Sequence, residues 1–232
     1  MASSFDAHSH LPNGTPPTTA HRRVVCGTRE SDWNAVLAHA ASDVRVIPML
    51  GLHPWFVSEA SPQWAFRLES LLRDGEAGVG ECGLDFSRKA ADRDGQEAAF
   101  RLQLCLAHDL QRPVAMHVVQ AWGSLLSILK EVGVPSAGAL VHAYSGSSET
   151  ARALTSRGIF LSFSGEVLNT ERAAMRESLV HVDLNHLLLE TDGQGDLQHL
   201  LEGVALLRGI PAISLAEKTW ENGLRCFKEL MA

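Results

Sequence analysis

Eight short apolar runs punctuate the chain, at 5–8 (FDAH), 23–27 (RVVCG), 44–52 (VRVIPMLGL), 77–82 (AGVGEC), 113–119 (PVAMHVV), 138–143 (GALVHA), 158–164 (GIFLSFS) and 186–192 (HLLLETD). They are rich in Val, Ile, Leu and Phe, are bounded by Gly or Pro, and lack a strict apolar–polar alternation. Strands covered on both faces read this way. The stretches between them change period. Apolar residues recur at a spacing near 3.6 in 33–41, 64–73, 96–111, 121–131, 147–157 and 171–179, and two further helical patterns at 196–208 and 214–230 close the chain. Ser147 with Thr150 marks a helix start, and Gly158 after Arg157 a helix stop. The Pro- and Thr-rich 12–19 (PNGTPPTT) reads as a loop. Eight strands alternating with helices predict an α/β protein of the TIM (β/α)8 barrel class, one domain over 1–232. An open, doubly wound sheet is the alternative, because local pattern does not tell closed from open.

Composition narrows the class without naming a chemistry. With 45% hydrophobic and 20% charged residues the chain is ordinary globular protein. No apolar run approaches the roughly 18 residues of a membrane span, and the N-terminal MASSFDAHSHL does not resemble a secretory signal. The cysteines, Cys26, Cys82, Cys105 and Cys226, are scattered and read as buried thiols of a reducing, cytoplasmic compartment. Twenty basic against 27 acidic residues give a net charge of −7, and no Lys/Arg stripe marks a nucleic-acid surface. That balance still allows an enzyme whose metals supply positive charge locally. The pattern sets no oligomeric state, monomeric or otherwise.

The candidate chemistry lies at the strand ends. His8 and His10 are two apart on the first run, so their side chains leave one face. Glu81 is read as ending the fourth strand, His117 the fifth, His142 the sixth and Asp192 the eighth. In a parallel barrel these ends share one rim, where active sites of the fold lie. Acids inside apolar runs are costly unless paired or liganded. Four imidazoles and two carboxylates suffice for two divalent ions with one carboxylate bridging. Two such ions, two carboxylates and a hydroxide leave the site near +1, enough to draw a phosphodiester. Imidazole favours Zn, Mn or Co, while a mixed nitrogen–oxygen site with water also takes Mg.

Seven ordered motifs, FDAHSHL, GLHPW, VGECGLDF, PVAMHV, VHAYSGS, SFSG and LLLETD, resemble the TatD family of metal-dependent deoxyribonucleases. Asn222 and Phe227 fit that family's last helix. The resemblance implies a metal-dependent hydrolase on a TIM barrel, related to the wider amidohydrolases, that cleaves phosphodiester bonds in DNA as an exonuclease-type enzyme. It implies His8, His10, Glu81 and Asp192 as ligands of one metal and Glu81, His117 and His142 as ligands of a second. Glu81 and Asp192 are the catalytic carboxylates of this reading, with Asp192 taking the proton of the attacking water. Two departures stand out. ETDGQGD lacks the Pro-rich segment that follows the acidic motif in the family, and His117-Val118-Val119-Gln120-Ala121 lacks an Arg found there. An amidohydrolase acting on a small C–N or ester substrate at the same site is the alternative, and a binding module with a structural metal is a more distant rival.

Further residues have two readings each. His53, at the end of the third strand, is a candidate substrate-phosphate contact or a loop histidine held by backbone. Asp85 would orient a ligand or cap the next segment, and Glu190 shares the face of Asp192 and would sit in a salt bridge. Tyr144 and Phe86 are candidates for base stacking or packing. Trp55, Trp64 and Trp122 are read as packing.

Overall fold

The computed structural model describes residues 3–11, 20–88 and 92–231. The eight apolar runs become eight strands paired in chain order, all parallel: β1 (Phe5–Ser9), β2 (Arg22–Cys26), β3 (Val46–Leu50), β4 (Gly78–Asp85), β5 (Val114–Val119), β6 (Ala139–Val141), β7 (Phe160–Phe163) and β8 (Leu187–Leu189). The sheet returns on itself at β8 and β1. There Asp192 N–H donates to the His8 carbonyl at 3.0 Å, and the Asp6 carboxylate accepts from Thr191 N–H at 2.9 Å and from its hydroxyl at 2.7 Å. The result is a TIM barrel, as the alternation of runs and helices predicts.

The helical patterns fold as α1 (Trp33–Ser42), α2 (Trp64–Asp74), α3 (Arg93–Asp109), α4 (Trp122–Val132), α5 (Ser148–Thr155), α6 (Ala173–His181), α7 (Leu197–Arg208) and α8 (Ala212–Cys226). Ser147 caps α5, accepting from Thr150 N–H at 3.2 Å. The helix ends at Thr155, before the expected stop at Gly158, which instead turns the chain into β7 at a φ of 81°. The 12–19 loop lies outside the described residues. No single helix among the described residues is long and apolar enough to cross a membrane.

Side-chain alternation sorts the core into two shells. Ala7, Cys26, Met49, Ala115, Leu140 and Leu188 belong to an inner cluster closed at one end by Phe227. Their strand neighbours, such as Val25, Leu50, Met116, Val141 and Leu189, pack outward against the helices. Cys26, Cys82 and Cys226 are buried free thiols, but Cys105 is exposed, because it falls on the outer face of α3.

Two bulges break the alternation where it matters. Asp6 and Ser9 on β1 pair with Arg23 and Val25 on β2, so β1 carries one extra residue. Val79 and Cys82 on β4 pair with Val114 and Met116 on β5, so β4 also carries one. An extra residue rotates everything beyond it to the other face. Ala7 and His8 therefore both meet the inner side, and Glu81 turns inward between Val79 and Cys82, which both pack outward. Glu81 accordingly does not end its strand, as the run of apolar residues suggests. It is the fourth of eight residues in β4.

Candidate metal centre

Beyond the bulges, simple alternation supplies the rest. His117 follows Ala115 two residues on, His142 follows Leu140, and Glu190 and Asp192 follow Leu188, all on the inner side at the C-terminal end of the strands. They converge on Glu81, whose two oxygens face two different sets of nitrogens. Oε2 lies 3.4 Å from His8 Nε2 and 3.5 Å from His10 Nε2. Oε1 lies 2.8 Å from His142 Nε2, 2.9 Å from His117 Nδ1 and 3.2 Å from His53 Nε2. Asp192 Oδ1 joins the first set, 3.4 Å from His10 Nε2 and 3.8 Å from His8 Nε2. Asp192 lies three residues past β8 in a left-handed backbone conformation (φ 50°), which Asp tolerates better than most residues.

The donor set fits cations. His8 Nε2 and His10 Nε2 stand 3.4 Å apart, and His117 Nδ1 and His142 Nε2 stand 3.1 Å apart. Ligands bound at about 2.0–2.1 Å around a tetrahedral ion are separated by about 3.3 Å. The outer nitrogens of three rings already have acceptors. His10 Nδ1 donates to the Cys26 carbonyl (3.1 Å), His117 Nε2 to Asp85 Oδ2 (3.3 Å) and His142 Nδ1 to Glu190 Oε1 (3.4 Å). In neutral imidazole this leaves the inner nitrogen as a lone pair aimed at the centre. His53 is built the opposite way. Its Nδ1 accepts from Trp55 N–H at 3.1 Å, so its inward Nε2 carries the proton and is a hydrogen-bond donor.

Electrostatics follow from this crowding. Burial works to raise the Glu81 carboxyl, yet the imidazoles of His142, His117 and His53 hold it well below the usual range. Burial pushes His8 and His53 down, whereas His10, His117 and His142 are held up against burial by the carboxylates of Asp192, Asp85, Glu81 and Glu190. Burial also drives the Asp6 carboxyl up to about 7, against its bonds to Thr191.

All seven residues singled out in the sequence come together here. His10, His53, Glu81, His117, His142 and Asp192 line a cleft of about 500 Å3, and His8 lies fully buried beneath. Asp85 caps the following segment, accepting from Ser87 N–H at 2.9 Å, and also lies 3.3 Å from His117 Nε2. Glu190 is fully buried and accepts from Ala143 N–H at 3.0 Å and from the Ser162 hydroxyl. Tyr144 is fully buried with its hydroxyl donating to the Ser147 carbonyl at 2.7 Å, so it offers no surface to a base. Phe86 is partly buried against the core under Arg93. Trp55 is not packing. It is 43% exposed at the cleft wall, its indole N–H donating to Asp85 Oδ2 at 2.6 Å. Two residues have roles the sequence did not mark, Asp6, which ties β8 to β1, and Ser162, which bonds Glu190. Acidic and hydroxyl residues within the apolar runs 5–8 and 158–164 were the available signal.

A carboxylate shared between two sets of imidazoles at the C-terminal mouth of a (β/α)8 barrel defines a metal-dependent hydrolase. Residues 5–228 match the family described as TatD related DNase, and the chain belongs to that family. It is 32% identical over 197 residues to a 3'-5' ssDNA/RNA exonuclease TatD of Erwinia tasmaniensis, covering 76% of each chain. The corresponding exonuclease of Salmonella typhimurium is 32% identical over 198 residues, 77% of this chain and 76% of the relative. Among solved structures, YJJV, a TatD homolog from Escherichia coli, superposes with a TM-score of 0.87 and 25% identity, covering 96% of this chain and 98% of that one.

Proposed function

We propose that this chain, acting as one domain over 1–232, is a divalent-metal-dependent nuclease that removes nucleotides from an end of single-stranded DNA. The observation that carries the reading is the split environment of Glu81, with one oxygen facing His8 and His10 and the other facing His117 and His142. His8, His10, Glu81 and Asp192 would hold one ion, and Glu81, His117 and His142 a second, with Zn, Mn or Mg as the candidates. Bound ions of this kind lower the pKa of water and draw charge from a phosphate. The names of the relatives support a single-stranded nucleic acid as substrate, and cysteines without disulfides support a cytoplasmic setting.

The chain's own side chains divide the remaining work. Asp192, with 43% of its side chain exposed, is the cluster's most open carboxylate and takes the proton of the attacking water. His53 Nε2–H, which faces Glu81 Oε1 at 3.2 Å, would be the inward donor for a phosphate oxygen once ions occupy that carboxylate. Asp85 and Glu190 fix the rings of His117 and His142. End-labelled single-stranded DNA, incubated with purified protein with and without chelator, tests the reading beside a panel of amides and small esters. Stepwise release of mononucleotides from one end, abolished by chelation, is expected. Turnover of an amide with no cleavage of DNA would overturn it.

A further inference from the structure

A nucleic-acid strand carries phosphates beyond the one being cut, yet no Lys or Arg is among the described residues that line the cleft. Two guanidiniums stand just outside its wall, each laid over an aromatic ring that does line it. Arg88, beyond the end of β4, has Cζ 4.0 Å from the centroid of Trp55. Arg29, between β2 and α1, has Cζ 4.5 Å from the centroid of Phe56. Trp55 and Phe56 are consecutive in a 3₁₀ helix (Pro54–Glu59) that follows His53, so the two pairs flank the same edge of the mouth.

Both guanidiniums are exposed, and among the described residues neither has a carboxylate within ion-pair distance. Of the nearby acids, Asp32 and Glu30 are engaged elsewhere, while Glu59 lines a hollow with Arg29 without coming within ion-pair distance of it. Asp32 accepts from the Thr28 hydroxyl at 2.9 Å and from Arg29's own N–H at 3.2 Å, and Glu30 accepts from Ser61 N–H at 2.8 Å. Trp55 is itself pinned by Asp85. A second hollow of about 230 Å3, lined by Arg29 and Phe56 together with Glu30 and Glu59, shares Phe56 with the cleft. A guanidinium resting on a ring keeps its edge N–H donors free and pays little further ordering entropy when a phosphate arrives.

We propose that Arg88 on Trp55 and Arg29 on Phe56 bind the phosphates flanking the scissile one, and so select a polynucleotide over a small phosphodiester. This rests on the reading of the substrate as single-stranded nucleic acid. The contacts are made to the backbone, so they are indifferent to base sequence.

The test uses Arg29→Ala, Arg88→Ala and the double variant. Binding of a fluorescein-labelled single-stranded decanucleotide to chelator-treated protein is followed across a salt series. Steady-state kinetics are measured with excess Mn²⁺ on the same oligonucleotide and on bis(p-nitrophenyl) phosphate, which has no flanking phosphate. Each single variant should bind the oligonucleotide roughly 3–10-fold more weakly and lower the log–log salt slope by about 0.7. KM for the oligonucleotide should rise by the same factor with kcat unchanged, and turnover of the small diester should stay at the parent level. Unchanged binding and slope, or an equal loss on both substrates, would overturn the proposal. A parent protein that binds the decanucleotide through these arginines without cutting it would reject the nuclease reading alone. Cutting by the parent with unaffected variants would reject the phosphate contacts alone.

Discussion

Glu190 is the buried acid whose replacement separates metal binding from folding. It is fully buried, accepts from Ala143 N–H at 3.0 Å and from the Ser162 hydroxyl, and lies 3.4 Å from His142 Nδ1. Glu190→Gln keeps the volume and one carbonyl oxygen, which stays on Ala143 N–H, while the Ser162 hydroxyl turns to accept from the new amide. What is lost is the charge behind His142. A hydrogen bond to a charged group is worth about 1.5–3 kcal/mol and a neutral one about 1 kcal/mol, so the difference is about 1–2 kcal/mol. Outer partners of metal-bound histidines affect metal affinity by about 10–100-fold, the same energy in another form. Glu190→Ala instead leaves up to three buried donors without an acceptor and should cost about 3–5 kcal/mol of stability. The assay is a metal titration, a denaturant melt and kcat at saturating ion for both variants. Glu190→Gln should bind metal about 10–100-fold more weakly, fold nearly as stably as the parent and recover most of its kcat in excess ion. Parent-like metal affinity, or a kcat that excess ion does not restore, would refute the positioning role.

Two other expectations concern separate parts of the molecule. Asp192→Asn retains an amide oxygen toward the ions and should keep much of the metal affinity while losing roughly 10²–10⁴-fold in kcat, checked by kcat against measured occupancy. On the far end of β2, Arg23 is buried and donates to Asp43 Oδ2 at 2.9 Å, so Asp43→Asn should cost about 2–3 kcal/mol by denaturant unfolding with activity intact. The Asp43 carboxyl is held below its ordinary value by hydrogen bonds from Arg45 and by the nearby Arg23, so its stabilising contribution is present above pH ~4 and is lost as pH falls further. A melt series from pH 6 to 3 should therefore fall less steeply for Asp43→Asn than for the parent.

The strands were legible because they are buried on both faces, which leaves continuous apolar runs, and the helices because one stripe of each packs on the barrel. The polar residues that converge at the rim were legible for the same reason, since His142 and Asp192 interrupt or follow runs with no other use for them. The bulges were not. An extra residue changes which face a side chain meets without changing composition, so Glu81 reads as the last residue of its strand when it is in the middle of β4. Trp55 reads as packing because an aromatic residue after Pro looks apolar, while its exposure is decided by loops that sequence pattern does not place. Asp6 escaped notice because its partner, Thr191, is 185 residues away and adjacent only once the barrel closes.

Metal content measured beside nuclease activity tests most directly the proposal that Glu81 is the carboxylate shared by two ions. Mass spectrometry of the metal-loaded chain should give two divalent ions per molecule, with chelation removing both the ions and the hydrolysis of single-stranded DNA. Glu81→Ala should hold less than one ion and be inactive, a deeper loss than replacing any single histidine. A parent chain saturating at one ion, or a Glu81→Ala chain that keeps two ions and its activity, would contradict the shared carboxylate at the centre of this site.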